Sequence, residues 1–428
     1  MFRFLHASDL HLGAAFQGIR ADSPAMAGRL TEATYRALER IVDLAVAERV
    51  AFVVLAGDLF NKADGNLRAW MKLRDAAARL DAEGIATFTI RGNHDYLGGG
   101  DPPLQWPALC RHFGSREKEL HRLEAAGGAV QLFGRSHDQR AVTANLALSY
   151  PTPDPGLFAV ALLHTNCGSN PDHASYAPCC VADLQDKGYG YWALGHIHKQ
   201  GTLQAGKPLI AYAGCPQGLN PKETGPRGCL LVTVDDDQVA TAEFRETDDV
   251  RWHMESVDIG GMSDIDDALA ALDDIMLQLR PDDPHRAAAV RLRLQGRGPL
   301  HAQLRKPGAA RDLLTRARDS AERAGGQVWP ESLTSATQPE VDAERMAGSD
   351  SFVGDFLRHA AQLRQDPSAL ADLRQDLGQL LGHRGVGDAL RDGGSAADEI
   401  WNDGRLLELL QEATAMGLDQ LAPKEGAA

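Results

Sequence analysis

The sequence predicts an α/β fold: a largely parallel or mixed sheet covered by helices, followed by a small α+β segment and a helical C-terminal segment. Three observations lead there. Short apolar runs alternate with helical patterns over residues 2–90. Each run stops at a loop that carries Asp, Asn or His, most of them with a Gly alongside. Beyond residue 200 the pattern changes to short strands separated by Gly, Pro and Asp turns.

Phe2–Ala7 is a short apolar run that reads as a buried strand, closed by Ser8-Asp9-Leu10-His11-Leu12-Gly13. Residues 26–49 place Leu30, Leu38, Ile41, Val42 and Ala45 at helical spacing. Ala51–Ala56 is apolar throughout, as a strand covered on both faces should be, and ends in Gly57-Asp58-Leu59-Phe60-Asn61. A second helix is expected over 67–83 and a third strand over 85–90, closed by Arg91-Gly92-Asn93-His94-Asp95. Residues 97–128, rich in Gly, Pro and charge, give no clean pattern. Residues 129–133 and 157–163 read as strands, the second running into His164-Thr165-Asn166. A helical stretch over 181–187 leads to the buried run Tyr191–Leu194, after which Gly195 is expected to turn the backbone tightly into His196-Ile197-His198. Short strands are expected at 202–204, 209–213, 230–234 and 239–244.

Five strand-to-loop junctions thus present Asp9 and His11, Asp58, Asn93 and His94, His164, and His196 and His198. In open α/β sheets ligands bind beyond the carboxyl ends of the strands. Side chains two apart in extended chain leave on one face, so Asp9 with His11, and His196 with His198, can each aim at one centre. A single Asp, Asn or His in a loop is an ordinary turn former; five such junctions in order point to a site. Carboxylate, amide and imidazole without thiolate suit Mn²⁺, Fe²⁺ or Zn²⁺ better than Ca²⁺ or a soft metal. Seven ligands, the set without His94, are too many for one ion, whereas two ions about 3.5–4 Å apart sharing a carboxylate serve phosphoester chemistry.

Composition is that of a soluble globular chain, 43% hydrophobic and 24% charged, and 428 residues imply two or three domains. The N-terminal residues show no basic region or cleavage site of a secretory leader, and no run of 18 apolar residues exists to span a membrane. Cys110, Cys167, Cys179, Cys180, Cys215 and Cys229 form no CxxC pair and read as free thiols of a cytoplasmic protein.

A net charge of −15 argues against nucleic acid as a partner, but its distribution is uneven. Residues 286–323 carry a local +7 and residues 331–428 a local −10. In the basic segment, Val290, Leu292 and Leu294 alternate with Arg291 and Arg293, a half-buried strand with a basic face. Arg297, Arg305 and Lys306 follow, then a basic helix over 311–323. Such residues read phosphate backbones without sequence preference. The acidic segment repeats apolar residues at helical spacing, first Phe352, Phe356 and Leu363, then Leu370, Leu373, Leu377 and Leu380. Ile400, Leu406, Leu407 and Leu410 form a last set, set apart by residues 385–394. The domains are expected at 1–248, 249–335 and 336–428.

His6-Ala7-Ser8-Asp9-Leu10-His11, Gly57-Asp58, Gly92-Asn93-His94-Asp95, His164 and Gly195-His196-Ile197-His198 resemble the five motifs of the calcineurin-like metallophosphoesterases, over about residues 1–250. The resemblance implies a four-layer α/β/β/α metallophosphoesterase sandwich. It implies that Asp9, His11 and His198 bind one metal, that Asn93, His164 and His196 bind a second, and that Asp58 bridges them. His94 resembles the family's non-ligand histidine, a catalytic residue at the phosphate or leaving oxygen. Leu12-Gly13 and Gly57-Asp58-Leu59-Phe60 resemble the SbcD-like DNA-repair exonucleases, and Tyr212–Gly218 with Gly225-Pro226-Arg227-Gly228 resemble the YhaO proteins of that branch. Asn61 stands where some break-repair relatives carry a His linked to exonuclease positioning, a departure expected to bear on exonuclease vigour and polarity rather than on metal.

What the resemblance implies is a DNA nuclease with two divalent ions, Mn²⁺ first, with Fe²⁺, Zn²⁺ or Mg²⁺ as alternatives. It would carry a DNA-binding capping domain and C-terminal helices that grip an SMC-like ATPase of the ABC type. A homodimer is among the assemblies it allows. The other readings are a phosphodiesterase or phosphatase for small phosphoesters and a weakly catalytic scaffold that binds DNA ends.

Overall fold

The computed structural model describes residues 1–16, 24–61, 67–98, 101–116, 119–125, 128–168, 175–340, 343–381 and 403–421. The chain opens with β1 (Phe2–Ala7), α1 (Pro24–Ala47), β2 (Phe52–Ala56), α2 (Leu67–Ala82) and β3 (Ala86–Ile90). Next come β4 (Cys110–His112), β5 (Leu120–Ala125), β6 (Gly128–Arg135), a 3-10 turn (Leu146–Ser149), β7 (Phe158–His164), α3 (Ala182–Gln185) and β8 (Tyr191–Gly195). Four short strands follow: β9 (Gly201–Gln204), β10 (Leu209–Tyr212), β11 (Gly228–Val234) and β12 (Ala240–Glu246). They form two six-stranded mixed sheets, ordered β12-β11-β1-β2-β3-β4 and β5-β6-β7-β8-β10-β9.

Strand alternation explains the continuous apolar runs. In β2, Val53 and Leu55 pack with Leu38, Ile41 and Leu73 of the helices α1 and α2, while Phe52 and Val54 pack with Val160, Leu162 and Tyr191 of the second sheet. Every residue of β2 is buried because both faces are covered. The outer face of the second sheet is covered by Leu146, Tyr150 and Leu184 of the 3-10 turn and α3 region. The layers are therefore helix, sheet, sheet and a thin helical cover.

Residues 97–128, which gave no pattern, hold β4 and β5. Both lie at sheet edges, β4 is three residues long, and β5 alternates exposed with half-buried positions, so neither has an apolar run to display. At the other junction, the tight turn expected at Gly195 occurs one residue later: His196 has φ 102°.

Beyond these strands lie β13 (Val250–Asp258), α4 (Ile265–Gln278), β14 (Ala287–Arg297), α5 (His301–Leu304), α6 (Ala309–Arg323) and β15 (Val328–Gln338), the strands forming a third sheet ordered β13-β14-β15. The helices α7 (Ala343–Ala347), α8 (Phe352–Gln365), α9 (Pro367–Leu381) and α10 (Asp403–Leu421) complete the chain. The chain divides into two compact units, Met1–Met254 with Leu277–Arg291 and Ala321–Glu331, and Glu255–Met276 with Leu292–Ser320 and Ser332–Ala428. In the first, Met26, Leu30 and Ala33 of α1 pack with Trp252, Ala287, Ala289 and Trp329. In the second, Leu357 and Ala360 of α8 and Leu406 and Leu418 of α10 are buried, and the Phe356 ring lies against Gly417. Ile400 and residues 385–394 lie outside the described residues.

Candidate metal centre

The five loops converge at the carboxyl ends of β1, β2 and β3 in one sheet and of β7 and β8 in the other, not along one sheet's crevice. Backbone bonds lace the first two loops together: Asp9 N to Gly57 O at 3.0 Å, His11 N to Asp58 O at 3.0 Å and Leu12 N to Leu59 O at 2.9 Å. Asp95, fully buried, ties the second loop to the third, its carboxylate accepting from Leu59 N at 2.9 Å and Gly92 N at 2.6 Å.

Backbone strain gathers here. Asp9, His11, Asp58 and His196 all have positive φ, a conformation that costs a non-glycine residue free energy and persists where the surroundings over-determine it. Two glycines allow the close approach. A Cβ on Gly57, whose φ is 93°, would lie 2.5 Å from His164 Nδ1, and one on Gly195 would lie 2.0 Å from Ala56 O. Those positions let His164 sit flush between the two sheets.

Asp9, His11 and His198 bring one donor atom each into a mutual cluster, and Asp9, Asp58 and His164 do the same beside it. His11 Nε2 and His198 Nε2 are 3.2 Å apart. Behind them, His11 Nδ1 meets Asn61 Oδ1 at 2.8 Å and His198 Nδ1 meets Glu223 Oε1 at 2.5 Å. An oxygen behind each Nδ1 assigns the ring proton there and turns both Nε2 lone pairs inward. Two facing lone pairs have nothing to share except a cation or a proton, so this donor set fits a divalent metal.

In the second cluster His164 Nδ1 donates to Ala56 O at 3.0 Å, which turns its Nε2 toward Asn93 Oδ1 at 3.1 Å and Asp58 Oδ2 at 3.3 Å. Asp58 Oδ2 is also 3.9 Å from His11 Nε2, so one carboxylate oxygen faces both clusters. The other, Oδ1, accepts from His94 N at 2.8 Å. Burial pushes the Asp58 carboxyl up, but the charges of His164 and His11 hold it well below the carboxylate range. His196 donates its backbone N–H to both Asp9 oxygens at 3.1 Å, and its ring stands 5.4 Å from the His164 ring. His94 is exposed, its ring edge-on to His11 at 5.0 Å.

Glu223 had no signal in the sequence beyond being an acid in a turn. Its side chain is half-buried: Oε2 accepts from Leu219 N at 2.7 Å and Asn220 N at 3.1 Å while Oε1 backs His198. Burial raises its pKa, and the His198 bond and these two N–H groups bring it down to about 2. Asn61, expected to bear on exonuclease positioning, sets its amide oxygen 2.8 Å from Nδ1 of the candidate ligand His11.

The basic residues divide. In the first unit, Arg291 Nε binds buried Glu331 at 2.7 Å, so its charge is matched within the fold. In the second, Arg293 and Arg305 are exposed and line a groove of about 860 Å³ whose other wall carries Glu408 and Glu412 of α10. Arg297 is exposed and bonds Pro339 O at 3.3 Å, and Lys306 is exposed.

A family model described as calcineurin-like phosphoesterase matches residues 2–200, and one described as the middle domain of metallophosphoesterase YhaO matches residues 252–338. A Bacillus subtilis protein named uncharacterized metallophosphoesterase YhaO is 32% identical over 375 residues, 87% of this chain and 89% of its own length. The DNA double-strand break repair protein Mre11 of Methanopyrus kandleri is 27% identical over 276 residues, 59% of this chain and 58% of that protein. Mre11 of Haloferax volcanii is 28% identical over 239 residues, 56% of this chain and 51% of that protein. This chain thus spans little more than half the length of those two repair proteins.

Proposed function

The chain belongs to the calcineurin-like metallophosphoesterase family and is a metal-dependent phosphoester hydrolase, and on that premise we propose that it is a two-metal DNA nuclease acting in double-strand break repair as a 3′–5′ exonuclease and endonuclease. The observation that supports this reading most is the pair of adjoining donor clusters that share Asp9 and that Asp58 Oδ2 faces on both sides, in a chain whose relatives include proteins named for DNA double-strand break repair.

Asp9, His11 and His198 would hold one ion, Asn93, His164 and His196 the other, and Asp58 both. When bound, two such cations, Mn²⁺ foremost, supply Lewis acidity to a phosphodiester and acidify water between them. The chain's own residues do the rest. Asp58 is oriented by His94 N, and Glu223 and Asn61 keep the imidazoles of His198 and His11 turned inward. His94, exposed beside His11, is placed to bond a phosphate oxygen or give a proton to the leaving oxygen. Arg293, Arg297, Arg305 and Lys306 would take the DNA backbone, with Arg291 positioned by Glu331. Phe352 and Met416, 72% and 64% exposed on α8 and α10, are the apolar residues an SMC-like ATPase would cover.

A second reading, hydrolysis of small phosphoesters, draws on Arg291 and on the acids facing Arg293 and Arg305: both temper the basic surface. No described helix is long and apolar enough to cross a membrane. The test is a grid of Mn²⁺, Mg²⁺ and Zn²⁺ against duplex DNA, single strands, hairpins and a nitrophenyl phosphodiester. Cleavage of DNA, strongest with Mn²⁺, is the expected result; turnover of the ester with all DNA intact supports the second reading.

A further inference from the structure

Cys167 and Cys179 lie outside the metal centre and have no part in the chemistry above. They face each other across an isolated parallel β-bridge, with Gly168 N donating to Cys179 O at 2.9 Å. Neighbours across such a bridge sit roughly 4.8 Å apart, within the backbone separation a disulfide needs. Their thiols are near enough to shift each other's acidity. Both are buried and held by fixed partners, Cys167 N by the Tyr212 hydroxyl at 2.8 Å and Cys179 Sγ by Thr165 Oγ1 at 3.3 Å. Cys180, next in the chain, is exposed, and its thiol bonds Asp183 at 3.2 Å instead.

We propose that Cys167 and Cys179 are a redox modification site that a peroxide closes to a disulfide and a thiol reductant reopens. The Cys167 thiol beside it pulls the Cys179 thiol below its usual range, which favours Cys179 as the sulfur that reacts first. Cys179 as thiolate attacks a peroxide oxygen; the O–O bond breaks, the sulfur becomes a sulfenic acid, and the departing hydroxide takes a proton to leave as water. Cys167 then loses its proton and attacks the Cys179 sulfur, so that the S–S bond forms, the S–O bond breaks and a second water leaves. Two thiols and one hydrogen peroxide give one disulfide and two waters. The pair follows closely on His164, and Tyr176, just before Cys179, sets its ring 5.5 Å from that of His196. Closure therefore ties down the chain beside Tyr176, whose ring meets that of the candidate ligand His196.

The test treats the reduced full-length chain with a few equivalents of hydrogen peroxide. Thiols titrated in denaturant should fall from six to four, a non-reduced digest should contain one crosslink, Cys167 to Cys179, and dithiothreitol should restore all six. Cys179→Ser and Cys167→Ser should each abolish the crosslink. Because those variants lie in the core, the wild-type digest decides by itself. Six thiols persisting, a crosslink through Cys180, or oxidation confined to Cys180 would each overturn the proposal.

Discussion

The imidazoles of His11 and His198 meet Nε2 to Nε2 at 3.2 Å, each backed at Nδ1 by a side-chain oxygen. The backing differs: an amide behind His11, a carboxylate behind His198. A carboxylate raises the basicity of the ring it backs, and outer partners of this kind are worth about 10–100-fold in metal affinity. Glu223→Gln should therefore weaken the ion held by His11 and His198 by that factor and leave the His164 cluster loaded. Calorimetric titration should resolve one weakened and one normal site; two unchanged sites would remove Glu223 from the metal centre.

Metal loading should depend on pH through His164. Burial lowers its pKa, but the Asp58 charge and hydrogen bond outweigh that and bring it to about 9 in the metal-free protein. At neutral pH an incoming ion must displace that proton. Apparent affinity should then climb as pH rises toward about 9 and level off above it. A flat profile between pH 6 and 9 would mean that His164 loads no metal.

Two glycine substitutions should act in opposite directions. Gly195→Ala would set a Cβ 2.0 Å from the Ala56 carbonyl and 2.8 Å from His164 Nδ1, neither able to retreat. Overpacking of this kind costs about 1–3 kcal/mol. Gly28→Ala, in α1 with nothing within 4 Å of the new Cβ, should stabilise by up to about 1 kcal/mol. Thermal melts should show the first falling and the second rising.

Arg293, Arg297 and Arg305 replaced together by Glu should weaken duplex binding similarly for unrelated sequences, since backbone contacts carry no base information. Each lost contact should lower the slope of log affinity against log salt by about 0.9. Nitrophenyl phosphodiester hydrolysis should persist, because that substrate needs only the metal centre. Loss of both activities would make these arginines structural.

Much of the fold was legible because β2, β7 and β8, and β1 from Phe4 onward, are covered on both faces and so read as largely apolar runs. The edge strands β4 and β5 were not, having little to bury. The candidate ligands were legible because each closes such a strand. Glu223 was not: it belongs to a turn far from any of those strand ends, and only the fold brings it to His198. The reason for Gly195 was also hidden, because what it must avoid, the Ala56 carbonyl, lies in another sheet.

The proposed nuclease activity rests on one metal centre, built around Asp58. Its most direct measurement compares wild type, Asp58→Ala and His94→Ala for cleavage of linear duplex DNA with Mn²⁺, alongside metal content by elemental analysis. Wild type should hold two ions and cut. Asp58→Ala should lose both ions and all cleavage. His94→Ala should keep its ions while cleavage falls about 10²-fold, within the range of a general acid. Undiminished DNA cleavage by an Asp58→Ala protein, or a fully loaded wild type that leaves DNA intact, would contradict the account.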